Sequence, residues 1–314
     1  MKTNPSFALM FFVAFLYLGL SVAYSQSDKK PIESKTFSMS GTATLEVDVS
    51  GASVSVQSTS GNQLQVQAFL KKDGKYLRQS DSETQEFLEK FDINISQNGN
   101  TISIIAKQKS SGSWNWRNRP SLSFEVLAPQ NLNTDIRTSG GSVSLQEIQG
   151  IHQLGSSGGS ISVKNSGGQV FSKSSGGSFY LAGFEGNVEV QTSGGSVKVE
   201  GLRGDIVAKT SGGGMTLNEV SGKIEAQTSG GSIRAKLDEV RNPMNFQSSG
   251  GSIQVSVSSN ARFNVEMKGG GLSSQLNNFQ GTTSKNLISG KVNGGGPTIY
   301  MQSSGGSIRI GHSD

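Results

Sequence analysis

Thr192-Ser-Gly-Gly-Ser-Val-Lys-Val-Glu-Gly-Leu-Arg-Gly-Asp-Ile-Val-Ala-Lys209 is eighteen residues long, and Thr210-Ser-Gly-Gly-Gly-Met-Thr-Leu-Asn-Glu-Val-Ser-Gly-Lys-Ile-Glu-Ala-Gln227 repeats its plan position by position. Outward from there, the pentad Thr/Ser-Ser-Gly-Gly-Ser starts at Thr138, Ser156, Ser174, Thr192 and Thr228, with a Gly-ended form at Thr210. It returns at Ser248 after a two-residue slip, and again at Ser303. Glycine recurs every nine residues from Gly141 through Gly150 and Gly159 to Gly231. A nine-residue half-unit inside an eighteen-residue unit describes two strand-plus-turn segments per coil, the mark of a solenoid.

The apolar residues agree. Two residues after the glycines stand Val143, Ile161, Val170, Phe179, Val188, Val197, Ile206, Met215, Ile224 and Ile233, and four residues after them stand Leu145, Leu154, Val163, Leu181, Val190, Val199 and Leu217. Such period-two alternation is a strand with one face in and one out. His152 and Ser172 interrupt the inward slots, and Ile148, Phe184, Leu202 and Val220 form a second apolar column broken once by Ser166. One coil cannot bury four to six such residues alone, so coils stack at about 4.8 Å around one narrow core. The glycines mark corners that need either positive φ or close packing between coils.

Composition supports this. Glycine is 42 of 314 residues, about twice the ordinary share, while hydrophobic residues are 33% and charged residues 16%. Thin apolar resources and low charge favour an extended all-β architecture over either a single thick core or charge-driven disorder. The chain has no Cys, which excludes disulfides, Cys-based zinc sites and Cys nucleophiles.

The expected organisation is a signal peptide over 1–25, a β-rich capping region over 26–137, regular β-solenoid repeats over 138–256, and irregular C-terminal coils with a cap over 257–314. Lys2, the apolar run Ala8 to Leu20 and the small residues Ala23 and Ser25 read as an export signal. The run is short for a membrane anchor, and 26–314 contains no other apolar stretch long enough to span. Without Lys2 the remainder carries 27 basic and 23 acidic residues, a mild surplus that does not argue for nucleic acid. An exported chain in the periplasm, on the outer surface or outside the cell is expected, and the lack of Cys favours a bacterial envelope.

Before the repeats, Thr44 to Val56 and Leu64 to Leu70 alternate as strands, and Ser82 to Phe91 predicts a short helix with Ser82 and Gln85 as a capping box. Ile93–Ser96 and Thr101–Ile105 flank Asn98-Gly99, a hairpin signal. Leu122 to Leu127 predicts a strand leading into the first coil, and a polar loop is expected around Ser273 to Ser289.

Phe124-Glu-Val-Leu-Ala-Pro-Gln-Asn131, then Ile136-Arg-Thr-Ser-Gly-Gly-Ser-Val-Ser-Leu145, and the terminal Gly294-Gly-Gly-Pro-Thr-Ile-Tyr-Met-Gln-Ser-Ser-Gly-Gly-Ser-Ile-Arg-Ile310 resemble the putative-adhesin β-strand-repeat family, a bacterial domain of unknown function. The resemblance covers most of the chain after the signal. It implies the solenoid fold and an adhesin-like role, and supplies no catalytic motif to place on these residues.

Chemistry-bearing residues are sparse. A calcium β-roll needs carboxylates in every repeat, yet Asp205 is the single Asp between 139 and 236. A carbohydrate-active β-helix enzyme, the alternative function, needs clustered carboxylates; Glu189 and Glu225 share an outward column but stand two coils apart with Val207 between them. His152 occupies an inward slot and His312 the tail. No enzyme activity, cofactor or metal is expected. Two features remain as surface contacts. The Ser/Thr corner column (Thr138, Ser156, Ser174, Thr192, Thr210, Thr228), beside the outward Ser142, Ser160, Ser178, Ser196 and Ser232, either suits tight stacked corners or lines a hydroxyl surface for glycan or ice. Trp114, Trp116, Arg117 and Arg119 either fold onto the N-terminal region or offer aromatic and cationic contacts to envelope glycan or another surface protein.

Overall fold

The computed structural model describes residues 29–109 and 119–313, so the segment 1–25 expected as a signal peptide, Trp114, Trp116 and Arg117 lie outside the described residues. Among those described there are 26 strands and one helix. The repeats build a β-solenoid with two long walls. Wall one stacks, in parallel, strands such as Gln149–Ser156, Ile206–Thr210, Ile224–Thr228 and Met244–Ser248. Wall two stacks Val143–Gln146, Val197–Arg203, Met215–Val220 and Ile233–Leu237. Most repeats pair at an offset of eighteen residues, as in Val188 against Ile206 and Ile206 against Ile224. The long strands Ile161–Ser174 and Phe179–Thr192 turn through a short third side and belong to both walls.

The inward slots read from the sequence are the core: Val197, Val199, Leu202, Ile206 and Ala208 of one coil are all buried, and one continuous cluster runs from Ile32 to Ile310. Each fully buried Val, Leu or Ile contributes about 1.5–3 kcal/mol. The core needs the whole stack, because a single layer would leave both its faces wet.

Two glycine columns serve different ends. At Gly177, Gly195 and Gly213 a Cβ would lie 1.9–2.0 Å from the glycine carbonyl oxygen one coil below, so only glycine lets the pentad corners approach. Gly168, Gly186 and Gly204 also adopt φ of +106° to +146°. A third corner column, unmarked by glycine alone, runs through Glu147, Asn165, Gly183, Gly201 and Glu219, every one at φ between +48° and +69°.

Beside the pentad glycines stand the buried hydroxyls. Thr192 Oγ1 accepts from Gly195 N (3.2 Å) and donates to Gly177 O (3.1 Å) of the coil below; Thr210 and Thr228 do the same one and two coils on. The first hydroxyl atoms of the pentads are therefore committed to holding coils together.

Chain order is not stacking order at either end. Ala43–Val49 and Ser53–Ser58 lie against Leu132–Thr138 and Val143–Gln146, while the later strands Thr101–Gln108 and Ser121–Ala128 sit outside them. At the far end Thr298–Ser303 and Ser307–His312 stack directly on Met244–Ser248 and Ile253–Val257. The earlier segment Phe263–Gln275 is pushed to the outside. Antiparallel strands then close several edges: Phe91–Asn98 on wall one, Gln63–Lys72 and Glu33–Ser38 on wall two, and Leu287–Val292 with Phe279–Thr283 at the far end of wall one.

Three local expectations change. The helix is Ser82–Lys90 with Asp81 as N-cap, and no capping box forms. Asp81 Oδ2 accepts from Arg78 N at 2.7 Å, a turn that places Ser82 already inside the helix, while Gln85 Nε2 donates to Gln79 O at 2.6 Å. The hairpin forms, but Asn98 pairs with Thr101 and the two-residue loop is Gly99-Asn100, with Gly99 at φ +58°. Asn100 is held there by bonds from Ser40 N to its Oδ1 and from its Nδ2 to Thr42 O. The polar stretch expected as a loop around Ser273 to Ser289 contains strands Gly271–Gln275 and Phe279–Thr283. They are edge strands whose mostly exposed or half-buried side chains leave no alternation to read.

Candidate groove on the solenoid wall

Parallel, in-register stacking converts each outward position into a row along the rod. One row of wall one reads Asp48, Arg137, Gly155, Lys173, Gln191, Lys209, Gln227, Gln247 and Gln302, one residue per layer. It faces the second serine of each pentad across a furrow. Near the N-terminal end the furrow widens to a cavity of about 790 Å³ lined by Arg137, Gly155, Phe171, Lys173, Glu189 and Gln191 among others. It continues as a second hollow of about 360 Å³ beside Lys209, Gln227, Gln247 and Gln302. Gln191 and Lys209 are register partners, so the two hollows are consecutive.

Charge in the wider cavity is balanced, with Lys107, Arg137 and Lys173 against Asp48, Asp135 and Glu189. Arg137 Nη2 meets Asp135 Oδ2 at 2.8 Å and Lys107 Nζ meets Asp48 Oδ2 at 2.5 Å. Phe171 stands 45% exposed on this wall, with Gln153 and Glu189 as its lateral neighbours. The amides are pre-set along their own strands: Gln191 Nε2 donates to Glu189 Oε1 (3.1 Å), Gln227 Nε2 to Glu225 Oε1 (3.2 Å) and Gln247 Nε2 to Asn245 Oδ1 (3.1 Å).

Glu189 and Glu225 do share one outward column with Val207 between them, and Lys209 Nζ lies 3.4 Å from Glu225 Oε1. Asp205 Oδ1 accepts from Lys223 N at 2.8 Å, a coil-to-coil bond. Among the described residues no group of three or more His, Asp or Glu is placed to hold a metal ion. The corner hydroxyls from Thr138 to Thr228 are buried in the stacking bonds described above, whereas Ser142, Ser160, Ser178 and Ser196 beside them are exposed and Ser232 is half-buried.

Arg119, the described member of the Trp114–Arg119 set, is half-buried, and its guanidinium lies beside Gly51, whose neighbour Ser50 lines the wide cavity. Burial lowers its pKa. His152 is fully buried, with Nδ1 3.1 Å from Thr134 Oγ1 and no hydrogen-bond partner at Nε2. Burial pushes its pKa down to about 4, against a weaker raising effect of the Gly167 and Ile148 backbone. The groove was not singled out by the sequence. Its one sign there is Phe171, an aromatic at an outward position whose register neighbours are Gln153 and Glu189.

Residues 42–311 match the family model described as Toastrack DUF4097. This chain belongs to that family. The Toastrack DUF4097 assignment accords with the stacked all-β architecture and spans nearly all of the described chain. Among solved structures, a "putative adhesin" from Bacteroides fragilis NCTC 9343 is similar at 13% identity, covering 90% of this chain and 96% of that one, with a TM-score of 0.41. A "putative adhesin" from Parabacteroides distasonis ATCC 8503 is 13% identical, covers 90% and 98%, and has a TM-score of 0.37. A "putative lipid binding protein" from the same organism is 14% identical, covers 88% and 96%, and has a TM-score of 0.35. No curated protein is similar in sequence to this chain.

Proposed function

We propose that this Toastrack protein is an exported, non-enzymatic β-solenoid that serves as an adhesin-like interaction scaffold of the cell envelope or cell surface. Its partner is an envelope glycan or another surface protein. The supporting observation is the division of labour within each coil. Inward and corner residues are used up by stacking, while the outward row of wall one carries a long groove that stacking does not require. Among the described residues no helix is long and apolar enough to cross a membrane. The segment around Trp114, Trp116, Arg117 and Arg119 belongs to the same proposal as a surface contact, since large aromatic faces bury more area per residue than hydroxyls.

Sedimentation of the chain from residue 26 with isolated bacterial envelopes tests it. The chain should pellet with envelopes, and Trp114→Ala with Trp116→Ala should cut retention several-fold at an unchanged melting temperature. A chain that stays in the supernatant, or that releases new reducing ends from the envelope polymer, overturns the scaffold reading.

A further inference from the structure

Gly155 is a glycine without a structural reason. It lies inside strand Gln149–Ser156, its φ is not in the left-handed region, and a Cβ there would meet Arg137 Cγ and Ile136 O at an ordinary 3.7 Å. The corner glycines, by contrast, would bring a Cβ to about 2 Å from backbone. Glycine inside a strand weakens it, and such a residue often marks a place where something approaches the backbone closely. Here it opens a notch in the row between Arg137 and Lys173. Phe171, diagonal to that notch, lines the same cavity and leaves its ring exposed to water.

We infer that this groove binds a neutral polysaccharide, lying parallel to the rod axis, with one pyranose ring seated in the Gly155 notch against the face of Phe171. The inference rests on the scaffold reading above and names the ligand class. Three features converge on this ligand. Pyranose C–H faces are apolar and suit an aromatic ring, while their equatorial hydroxyls want donors and acceptors side by side. The pre-set pairs Gln191 with Glu189 and Gln227 with Glu225 offer both, because each amide keeps one N–H and its carbonyl oxygen for a ligand. These two pairs stand two layers apart, with Lys209 and Val207 in the layer between, so at about 4.8 Å per layer they are spaced close to the advance of two sugars along an extended polysaccharide. The balanced charge argues against a polyanion, which would have to displace Asp135 from Arg137 and Asp48 from Lys107.

Native affinity electrophoresis through gels containing soluble β-glucan, α-glucan, galactomannan or arabinoxylan tests the inference, with polygalacturonate as the charged comparator. At least one neutral polymer should retard the chain. Phe171→Ala should weaken that retardation at least tenfold. Gly155→Val should do the same while leaving the melting temperature equal or higher, because a β-branched residue favours the strand as it fills the notch. That opposite movement of stability and binding is not expected of mere structural damage. Retardation by polygalacturonate alone, by no neutral polymer, or equally for wild type and both variants overturns the inference. Envelope sedimentation that persists in Gly155→Val and Phe171→Ala leaves the scaffold standing with its contact elsewhere. Retardation without envelope binding removes the scaffold and keeps the groove.

Discussion

At Gly195 a Cβ would lie 2.0 Å from the carbonyl oxygen of Gly177, whereas at Gly194 the nearest atom, Ser175 O, would be an ordinary 3.6 Å away. The obstruction at Gly195 is backbone of the neighbouring coil, so relief requires the coils to separate and break the Thr192 hydroxyl bond across them. Gly195→Ala is therefore expected to cost more than about 3 kcal/mol, and Gly194→Ala less than about 1 kcal/mol. Urea unfolding of the two variants measures the difference. The glycine spacing was plain in the sequence, but not which of two demands each glycine met. Close approach and positive φ leave the same letter, and Glu147, Asn165 and Glu219 meet the second demand without it. His152 carries a second prediction at this scale. Its folded pKa of about 4 lies below the ordinary 6.5, so between those values the unfolded chain takes up a proton that the folded chain refuses. Stability should fall as pH drops from 6.5 to 4, by about 3 kcal/mol in all. His152→Val, which copies the Val170 and Val188 of the next coils in that column, should lose that much less than wild type between pH 7.5 and 4. Equal acid losses in both chains would place the sensitivity elsewhere.

Between neighbouring coils the pentads carry more information than their order along the chain. Ser303-Ser-Gly-Gly-Ser307 reproduces Ser248-Ser-Gly-Gly-Ser252 letter for letter, and the two corners stack, with Ser303 Oγ donating to Gly251 O at 2.9 Å. The intervening Phe263–Lys268 follows the repeats in sequence yet lies one layer further out, because Met267-Lys-Gly-Gly-Gly271 lacks the hydroxyl that makes the corner bond. Reading the repeat marked both coils, and a sequential winding would have placed them in the wrong order. The same holds near the start, where Val49-Ser-Gly-Ala-Ser53 is a degenerate pentad beneath Thr138–Ser142 that strict matching passes over. Absence of Cys makes the order directly testable. Gln247→Cys with Gln302→Cys joins register partners on adjacent parallel strands and should oxidise readily, since their separation suits a disulfide. Gln247→Cys with Lys268→Cys spans two layers and should stay reduced under the same oxidant. Efficient closure of the second pair would restore sequential winding.

For the whole molecule the open question is what a stack of identical edges does at its ends. A parallel wall presents the same unpaired N–H and C=O groups at its last strand as within it, so a bare end templates another copy. In this chain the N-terminal end is built from sequence that departs from the repeat. Phe91–Asn98 runs antiparallel on wall one, Gln63–Lys72 and Glu33–Ser38 run antiparallel on wall two, and Phe87 of the helix stacks on Phe91 at 4.7 Å. Antiparallel strands bearing Lys35, Lys71 and Lys72 offer a poor template for a parallel coil, and edge lysines resist strand addition. Residues before Thr138 should thus act as the cap that keeps the rod monomeric. A chain beginning at Thr138 loses these strands together with the coil of Ala43–Ser58, leaving Val143–Gln146 and Gln149–Ser156 as flat edges with alternating apolar faces. It should associate or precipitate at concentrations where the chain from residue 26 runs as a single species in size-exclusion chromatography with light scattering. A monodisperse and cooperatively melting truncation would mean that the repeats end themselves, and that the N-terminal strands serve something other than closure.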